Sequence, residues 1–271
     1  MKPKFTNIGS QRIAWYENND TAAMPVIFFV HGNSSSAKSF RYQFESNLSD
    51  KYRLIAIDLP GHGESEPASE PGEIYTLPGY ASIISAFSDA TGIKNAVFVG
   101  WSLGGHILLE AAEKLPKASG FVIFGTPPAG NPPDMASAFL PSPAMASLFK
   151  EELTDNEISE WSGAILKSPP ESFISDIEHT DGRARLEMGK SVAEGNYRDE
   201  IEVVSSLSVP LSIFHGEEDQ IVNLKYIKEL KIPALWRNNV QVIKGVGHAP
   251  QWEQPEKFNR LMEEFIRDVR D

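Results

Sequence analysis

In VFVGWSLGGHILLE, residues 97–110, a strand-like run changes to a helical pattern at one serine set among glycines. The residues before the change are β-branched and aromatic, which favours a buried strand. The segment GWSLG, residues 100–104, fits G-x-S-x-G, a pattern in which a sharp strand-to-helix turn exposes the serine. Small residues two positions either side avoid clashes with its strained backbone. Ser102 is therefore the candidate nucleophile.

A serine needs a general base, and a carboxylate that orients the base. His248 lies in GVGHAP, a Gly-flanked loop after the last strand-like run, whereas His62, His106 and His179 fit structural roles better. The segment HGEEDQIV, residues 215–222, offers the acid after another strand. Asp219 is the preferred acid, with Glu218 as the alternative, and the chain order Ser102, Asp219, His248 fits this type of hydrolase.

The segment VHGNSSS, residues 30–36, follows an early buried strand and supplies the last catalytic component. A Gly-rich turn there presents the backbone N–H of Asn33, which with that of Leu103 predicts a two-donor oxyanion hole. The Asn33 side chain is a candidate third donor, or alternatively a turn former that caps its own loop. We assign His31 to holding this loop.

Short apolar runs alternate with amphipathic segments, which predicts an α/β domain with a mostly parallel sheet and an antiparallel edge at its first strands. The predicted strands are Gln11–Glu17, Val26–Val30, Arg53–Ile57, Ala96–Val99, Phe121–Phe124, Leu211–Phe214 and Val240–Ile243. The predicted helices are Phe40–Leu48, Tyr80–Thr91, Leu103–Leu115, Leu224–Leu230 and Pro255–Val269.

The region from Gly125 to about Val209 lacks a strand-like run and opens with a Pro- and Gly-rich cluster. This predicts a helical cap over residues 130–206, inserted into a core of residues 1–129 and 207–271. The expected substrate-binding residues are apolar. They come from the strand-to-helix turn at Ser102, called the elbow below, and from the cap: Trp101, Phe139, Leu140, Met145, Phe149 and Trp161. Leu148, Ile165 and Leu166 are further candidates, and for all the cap residues the alternative is the cap's own core.

Composition excludes several classes of function. The net charge of −12 argues against nucleic acid as a partner. The chain has no cysteine, no apolar run long enough to span a membrane and no secretory signal pattern, so we expect a cytoplasmic protein without membrane association. The histidines are scattered, so no metal and no cofactor is expected. The expected partner is a small-molecule ester or lactone, and the sequence leaves monomer and homodimer open.

Together, His31-Gly32-Asn33, DLPGHGES, GWSLGG, GEEDQIV and GVGHAP resemble the α/β-hydrolase superfamily over nearly the whole chain. This resemblance implies an α/β-hydrolase fold, with an eight-stranded, mostly parallel sheet flanked by helices and an inserted helical cap. The segments HGNSSS, GWSLGGHI, GTPP and TDGRAR are similar to the α/β-hydrolase-type N-acyl-homoserine lactonases. That family has glutamate at its acid position, where this chain has Asp219.

By this resemblance we expect a serine hydrolase that opens the lactone ring of N-acyl-homoserine lactones, a quorum-quenching reaction, through an acyl-enzyme. One alternative is a general short-chain carboxylesterase. A relative that cleaves carbon–carbon bonds or perhydrolyses acids with the same triad is another. A third is a non-catalytic ligand-binding protein of the same fold, which would keep the pocket without the chemistry.

Overall fold

In the computed structural model, which describes residues 2–19, 21, 24–115 and 117–270, the strands form one eight-stranded sheet. Its order is β1-β2-β4-β3-β5-β6-β7-β8; the pairs β1–β2 and β2–β4 are antiparallel and the others parallel. The strands are β1 (Lys4–Ile8), β2 (Gln11–Glu17), β3 (Val26–Val30), β4 (Arg53–Ile57), β5 (Val97–Trp101), β6 (Gly120–Phe124), β7 (Leu211–Gly216) and β8 (Gln241–Ile243).

Helices connect the parallel strands and cover the sheet. They are α1 (Arg41–Phe44), α2 (Leu48–Lys51), α3 (Pro71–Ile74), α4 (Leu77–Ala90), α5 (Leu103–Ala111), α6 (Met135–Ala138), α7 (Asp155–Ile165), α8 (Glu171–His179), α9 (Gly182–Ala193), α10 (Glu200–Ser206), α11 (Leu224–Glu229), α12 (Pro250–Glu253) and α13 (Pro255–Asp268). Each described helix is too short or too polar to cross a membrane.

The central strands β3, β5 and β6 are buried along their whole length. Strands covered on both faces read as continuous apolar runs, which is why the sequence predicted them well. Their carboxyl ends meet at one edge of the sheet, where open α/β sheets bind ligands. The predicted α/β class and the mostly parallel eight-stranded sheet are confirmed.

The edge of the sheet differs from the prediction in two ways. The strand β1 was not predicted, because its sequence KFTNI is largely exposed and carries no apolar run. The antiparallel edge is formed by β1 and β2, whereas Val26–Val30 lies between β4 and β5 in the centre of the sheet. A short turn between β1 and β2 fixes this edge pairing.

Between β6 and β7 the chain forms a run of helices, α6–α10, and the loops that join them. Two buried polar side chains attach this run to the loop after β3. Arg185 of α9 donates to the Ser34 hydroxyl at 3.0 Å and to the Lys150 carbonyl at 2.8 Å, and Ser36 donates to Asp176 of α8 at 2.6 Å. The helix α10 packs on α5. The division into a cap of residues 130–206 and a core stays a prediction.

Candidate active site

Ser102 occupies the turn between β5 and α5 in a conformation that L-residues rarely adopt, with φ 52° and ψ −118°. The neighbouring glycines are required because a side chain at their positions would clash with nearby atoms. A Cβ on Gly100 would lie 2.5 Å from the Gly104 carbonyl oxygen, and one on Gly104 would overlap the Val30 carbonyl oxygen. A Cβ on Gly105 would overlap the Thr126 hydroxyl. The strained turn therefore depends on close packing of α5 against β3 and the loop after β6.

His248 and Asp219 meet at the same edge of the sheet. His248 Nδ1 is 2.9 Å from Asp219 Oδ2, and the side chains of both are 1% exposed. Asp219 Oδ1 accepts the backbone N–H groups of Ile221 and Val222 at 2.8 and 3.1 Å, which fixes the carboxylate plane. Glu218, the alternative acid, is half exposed and forms an ion pair with Lys167.

The environment of Asp219 keeps it ionised. Burial raises the pKa of this carboxyl, but the charge and hydrogen bond of His248, together with the amides of Ile221 and Val222, outweigh burial and hold the pKa below its ordinary value. An ionised carboxylate accepts from Nδ1–H, which leaves Nε2 on the opposite edge of the ring. His248 Nε2 is buried and has no hydrogen-bond partner among the described residues.

Two neighbouring residues, Trp101 and Gly125, accommodate His248, one at its backbone and one at its ring. The indole N–H of Trp101 donates to the His248 carbonyl at 3.0 Å. On the other side, Gly125 has φ 60°, and a Cβ there would lie 2.8 Å from the imidazole. Trp101 therefore holds the His248 backbone, and Gly125 leaves space for the imidazole ring.

Both predicted oxyanion-hole residues line one cavity with Ser102 and His248. Leu103 is the first residue of α5, so its N–H has no acceptor within the helix. The Asn33 side chain, for which the sequence left a third donor and a turn former open, forms hydrogen bonds away from the oxyanion hole. Its amide donates to the Leu148 carbonyl at 3.0 Å and its oxygen accepts from Ser34, so it connects the loop after β3 to the cap region instead.

The cavity lies over the Ser102 turn and has a volume of about 100 Å³. Its wall is mostly apolar. The lining residues are Asn33, Leu77, Ser102, Leu103, His106, Gly125, Ala129, Pro133, Met135, Phe139, Met145, Leu148, Phe149, Trp161, Met188, Val192, Tyr197, Glu200, Ile221 and His248.

Of the predicted substrate-binding residues, Phe139, Met145, Phe149 and Trp161 line this cavity, as does Leu148. Trp101 and Leu140 are not among the residues that line it. Trp101 is 1% exposed and packs behind the site, because its indole is used by the His248 loop. The Leu140 backbone pairs with Ile221 at the rim of the sheet. Ile165 and Leu166 are buried in the hydrophobic core.

Two other histidines near the site have structural contacts. His31 accepts from the Leu59 N–H through Nε2 and donates from Nδ1 to the Gly32 carbonyl, and its burial holds its pKa well below the ordinary value. Burial likewise lowers the pKa of His62 to about 4. His31 thus holds the loop after β3, as predicted.

One polar pair in the cavity wall, His106 and Glu200, was not predicted from the sequence. His106, which we had expected to be structural, lines the cavity, and its Nδ1 lies 2.9 Å from the carboxylate oxygens of Glu200. Its position four residues after Ser102, on the helix that begins at the elbow, was the available signal. No local sequence signal pointed to Glu200, because its partner His106 is 94 residues away in the chain.

Within the part of the chain that the structure describes, no group of three or more His, Asp or Glu side chains is arranged to hold a metal ion.

Solved structures of an N-acyl homoserine lactonase, AidH, are similar to this chain over its whole length. A mutant complexed with N-hexanoyl homoserine lactone has a TM-score of 0.94 and 32% identity, covering 99% of this chain and 98% of that chain. The enzyme complexed with N-butanoyl homoserine gives the same TM-score and identity, with 97% of that chain covered. The resemblance predicted from the sequence motifs is confirmed.

Two of the similar curated proteins are hydrolases. The uncharacterized hydrolase YugF of Bacillus subtilis (strain 168) is 29% identical over 269 residues, covering 93% of this chain and 94% of YugF. A 2-hydroxy-6-oxononadienedioate/2-hydroxy-6-oxononatrienedioate hydrolase of Burkholderia vietnamiensis is 22% identical, covering 97% and 95%. The model of the alpha/beta hydrolase family matches residues 27–261. With this fold and this match, the chain belongs to the alpha/beta hydrolase family.

Proposed function

We propose that this chain is a serine hydrolase of carboxylic esters that opens the lactone ring of N-acyl homoserine lactones. One observation carries the proposal. Ser102 at its strained turn lines the same cavity as His248, whose Nδ1 is fixed on Asp219 and whose Nε2 has no partner among the described residues. An imidazole held by a carboxylate at Nδ1 and free at Nε2 within the described structure, in the cavity that the serine lines, supports the role of general base for Ser102.

Acylation uses the three side chains and two backbone amides. His248 Nε2 takes the Ser102 hydroxyl proton as Oγ attacks the carbonyl carbon, and Asp219 stabilises the imidazolium. The amides of Asn33 and Leu103 donate to the oxyanion, each worth on the order of 10² to 10³ in rate. The imidazolium then protonates the departing alkoxide, which leaves an acyl-enzyme.

Deacylation returns the serine. His248 takes a proton from water as the water oxygen attacks the acyl carbonyl, and the tetrahedral species expels Ser102 Oγ, which regains its proton from the imidazolium. With a lactone, the alcohol stays attached to the acyl group. Water must therefore attack before the ring closes again.

The cavity supports a neutral substrate with an apolar chain. Its wall is dominated by Met, Leu, Phe and Trp side chains, and no Lys or Arg is among the described residues that line it. A carboxylate group would lose its hydration there without a cation to replace it. This disfavours substrates like the dienedioates of the curated hydrolases, whose names denote two carboxylates. The likeness to the lactonase complexes supports a lactone within the neutral class.

The proposed test incubates the purified protein with N-hexanoyl homoserine lactone and follows acid release by titration. We expect ring opening, and a loss on the order of 10⁶-fold in kcat for Ser102→Ala. The matched control is Ser212→Ala, because the Ser212 hydroxyl is buried without a hydrogen-bond partner in the described structure and lies on β7. That variant should keep full activity.

Three outcomes separate the alternatives. Full activity of Ser102→Ala contradicts serine catalysis. Brisk hydrolysis of simple esters without opening of the lactone identifies a general carboxylesterase. A protein that hydrolyses neither, and that a serine-directed fluorophosphonate leaves unlabelled, is a non-catalytic ligand-binding member of the fold.

A further inference from the structure

The cavity wall contains a second imidazole–carboxylate pair besides His248 and Asp219. His106 lies on α5, one helical turn beyond Ser102, and its Nδ1 is 2.9 Å from both oxygens of Glu200. The Glu200 side chain is 1% exposed and also accepts the Ala129 N–H at 2.8 Å. Both carboxylate oxygens are therefore used within the protein.

The orientation of this ring leaves one nitrogen free. Because Nδ1 faces Glu200, Nε2 lies on the opposite edge of the ring, and the side chain is 19% exposed and lines the cavity. Nothing in residues 2–19, 21, 24–115 and 117–270 makes a hydrogen bond to Nε2. By contrast, the Tyr197 hydroxyl in the same wall donates to the Gly130 carbonyl.

Burying the His106–Glu200 pair costs folding free energy, which suggests that the pair has a functional role. A buried carboxylate must be compensated by hydrogen bonds, whereas a methionine or leucine would fill the same wall at no such cost. A carboxylate that accepts from one ring nitrogen fixes the position of the imidazole and directs the other nitrogen outward. Glu200 thus acts as the positioning residue of His106.

We propose that His106 is a specificity-determining residue that binds an amide or hydroxyl group carried several bonds away from the ester carbonyl. This inference rests on the proposed function. His106 follows Ser102 by four positions in the chain, about 6 Å along the helix axis, so the bound group is on the chain of the substrate and not at the reacting carbon. Amides and hydroxyls both donate and accept, so either protonation state of Nε2 can bind them.

The test compares two esters of equal chain length, methyl hexanoate and methyl N-propanoylglycinate, in which an amide replaces two methylenes. The measured quantity is the ratio of kcat/KM for the amide ester to that for methyl hexanoate. In the double variant His106→Leu with Glu200→Gln, which leaves no unpaired buried charge, we expect this ratio to fall about tenfold, mainly through KM for the amide ester.

His106→Gln keeps a hydrogen-bonding side chain and should retain most of the ratio. The matched control His179→Gln changes an exposed histidine of α8 and should leave the ratio unchanged. An unchanged ratio in the double variant, with both esters hydrolysed, overturns the role of His106 and leaves serine catalysis intact. If the wild-type protein hydrolyses neither ester nor the lactone, the proposed function fails, and this inference fails with it.

A second measurement does not require the double variant to fold. In ¹⁵N-labelled Ser102→Ala protein, the Nε2 resonance of His106, assigned by its loss in His106→Gln, should shift on adding methyl N-propanoylglycinate and not on adding methyl hexanoate. An Nε2 chemical shift that does not change on adding the amide ester overturns the proposal.

Discussion

At the scale of single residues, the choice of acid in the site depends on hydrogen bonds and not on sequence position. Asp219 and Glu218 are neighbours, yet one is buried against His248 and the other points to Lys167 at the surface. The backbone explains the difference, because the amides of Ile221 and Val222 bind the Asp219 carboxylate and turn it inward.

We predict that Asp219→Asn lowers kcat for ester hydrolysis on the order of 10⁴-fold while the protein stays folded, because the amide no longer orients the His248 ring or stabilises its charged form. Glu218→Gln is the matched control. It removes an exposed ion pair, worth about 0 to 1 kcal/mol, and should leave kcat unchanged. Steady-state kinetics with both variants measure this; equal losses would contradict the assignment of the acid.

The buried His62 makes folding sensitive to pH. Its pKa of about 4 in the folded protein lies below the ordinary value of 6.5. As pH falls, His62 therefore takes up a proton in the unfolded chain before it does so in the folded protein. Its contribution to the free energy of unfolding is fully present above pH 6.5 and is lost between pH 6.5 and about 4. Burial raises the pKa of Asp58 to about 6, so its contribution changes in the opposite direction. Protonation of Asp58 in the folded protein raises the free energy of unfolding as pH falls below that value.

We predict that His62→Phe removes the His62 part of this loss. Between about pH 7 and about pH 5, the free energy of unfolding should fall by about 2 kcal/mol less in the variant than in the wild type. Urea unfolding at both pH values measures the difference, and the Asp58 contribution is common to both proteins. His179→Phe, at an exposed histidine, should not change the pH dependence. An identical pH dependence in His62→Phe would show that His62 is not the responsible group.

At the scale of elements, the elbow requires that α5 begin in contact with β3. Gly104 is at the second position of α5, where a Cβ would overlap the Val30 carbonyl oxygen and lie 2.7 Å from the His31 carbonyl oxygen. Backbone atoms in a central strand cannot move away as a flexible side chain can. The glycine is thus needed for the approach of two elements, not for its own dihedral angles.

We predict that Gly104→Ala lowers the free energy of unfolding by about 3 kcal/mol or more, through overpacking and displacement of α5. Gly163→Ala in α7 is the matched control, because nothing lies within 4 Å of its Cβ. There the added methyl should raise stability by about 0.5 to 1 kcal/mol, the difference in helix propensity. Chemical unfolding of both variants tests the pair, and equal tolerance of the two changes would refute close packing at the elbow.

At the scale of the whole molecule, the sequence predicted those features that depend on local pattern. The central strands are continuous apolar runs, and the Ser102 elbow is encoded within five residues, so both were predicted. The strand β1 lies exposed at the edge and has no such pattern. Trp101 looked like a binding residue, but its indole contacts the His248 loop, 147 residues away, and Glu200 meets His106 across 94 residues. Contacts of that range depend on the packing of the complete fold.

Under the proposed function, the net charge of the molecule and the composition of its cavity both disfavour anionic substrates. The chain carries 37 acidic and 25 basic residues, and the described cavity wall includes Glu200 and no Lys or Arg. An anionic substrate is therefore repelled at a distance by the field of the whole protein, and inside the cavity it finds no cation. The two effects differ in their response to salt, because salt screens exposed charges much more strongly than buried ones.

We predict that the monomethyl ester of glutarate has a kcat/KM at least about tenfold below that of methyl hexanoate at low ionic strength. Raising the salt shortens the Debye length from about 30 Å at 0.01 M to about 8 Å at 0.15 M, so the difference should narrow as long-range repulsion is screened. It should not vanish, because the cost of desolvating the carboxylate in the cavity remains. Initial rates of both esters across a salt series measure this, and methyl hexanoate, which is neutral, is the internal control. An anionic ester hydrolysed as fast as the neutral one at every salt concentration would contradict the assignment to neutral substrates.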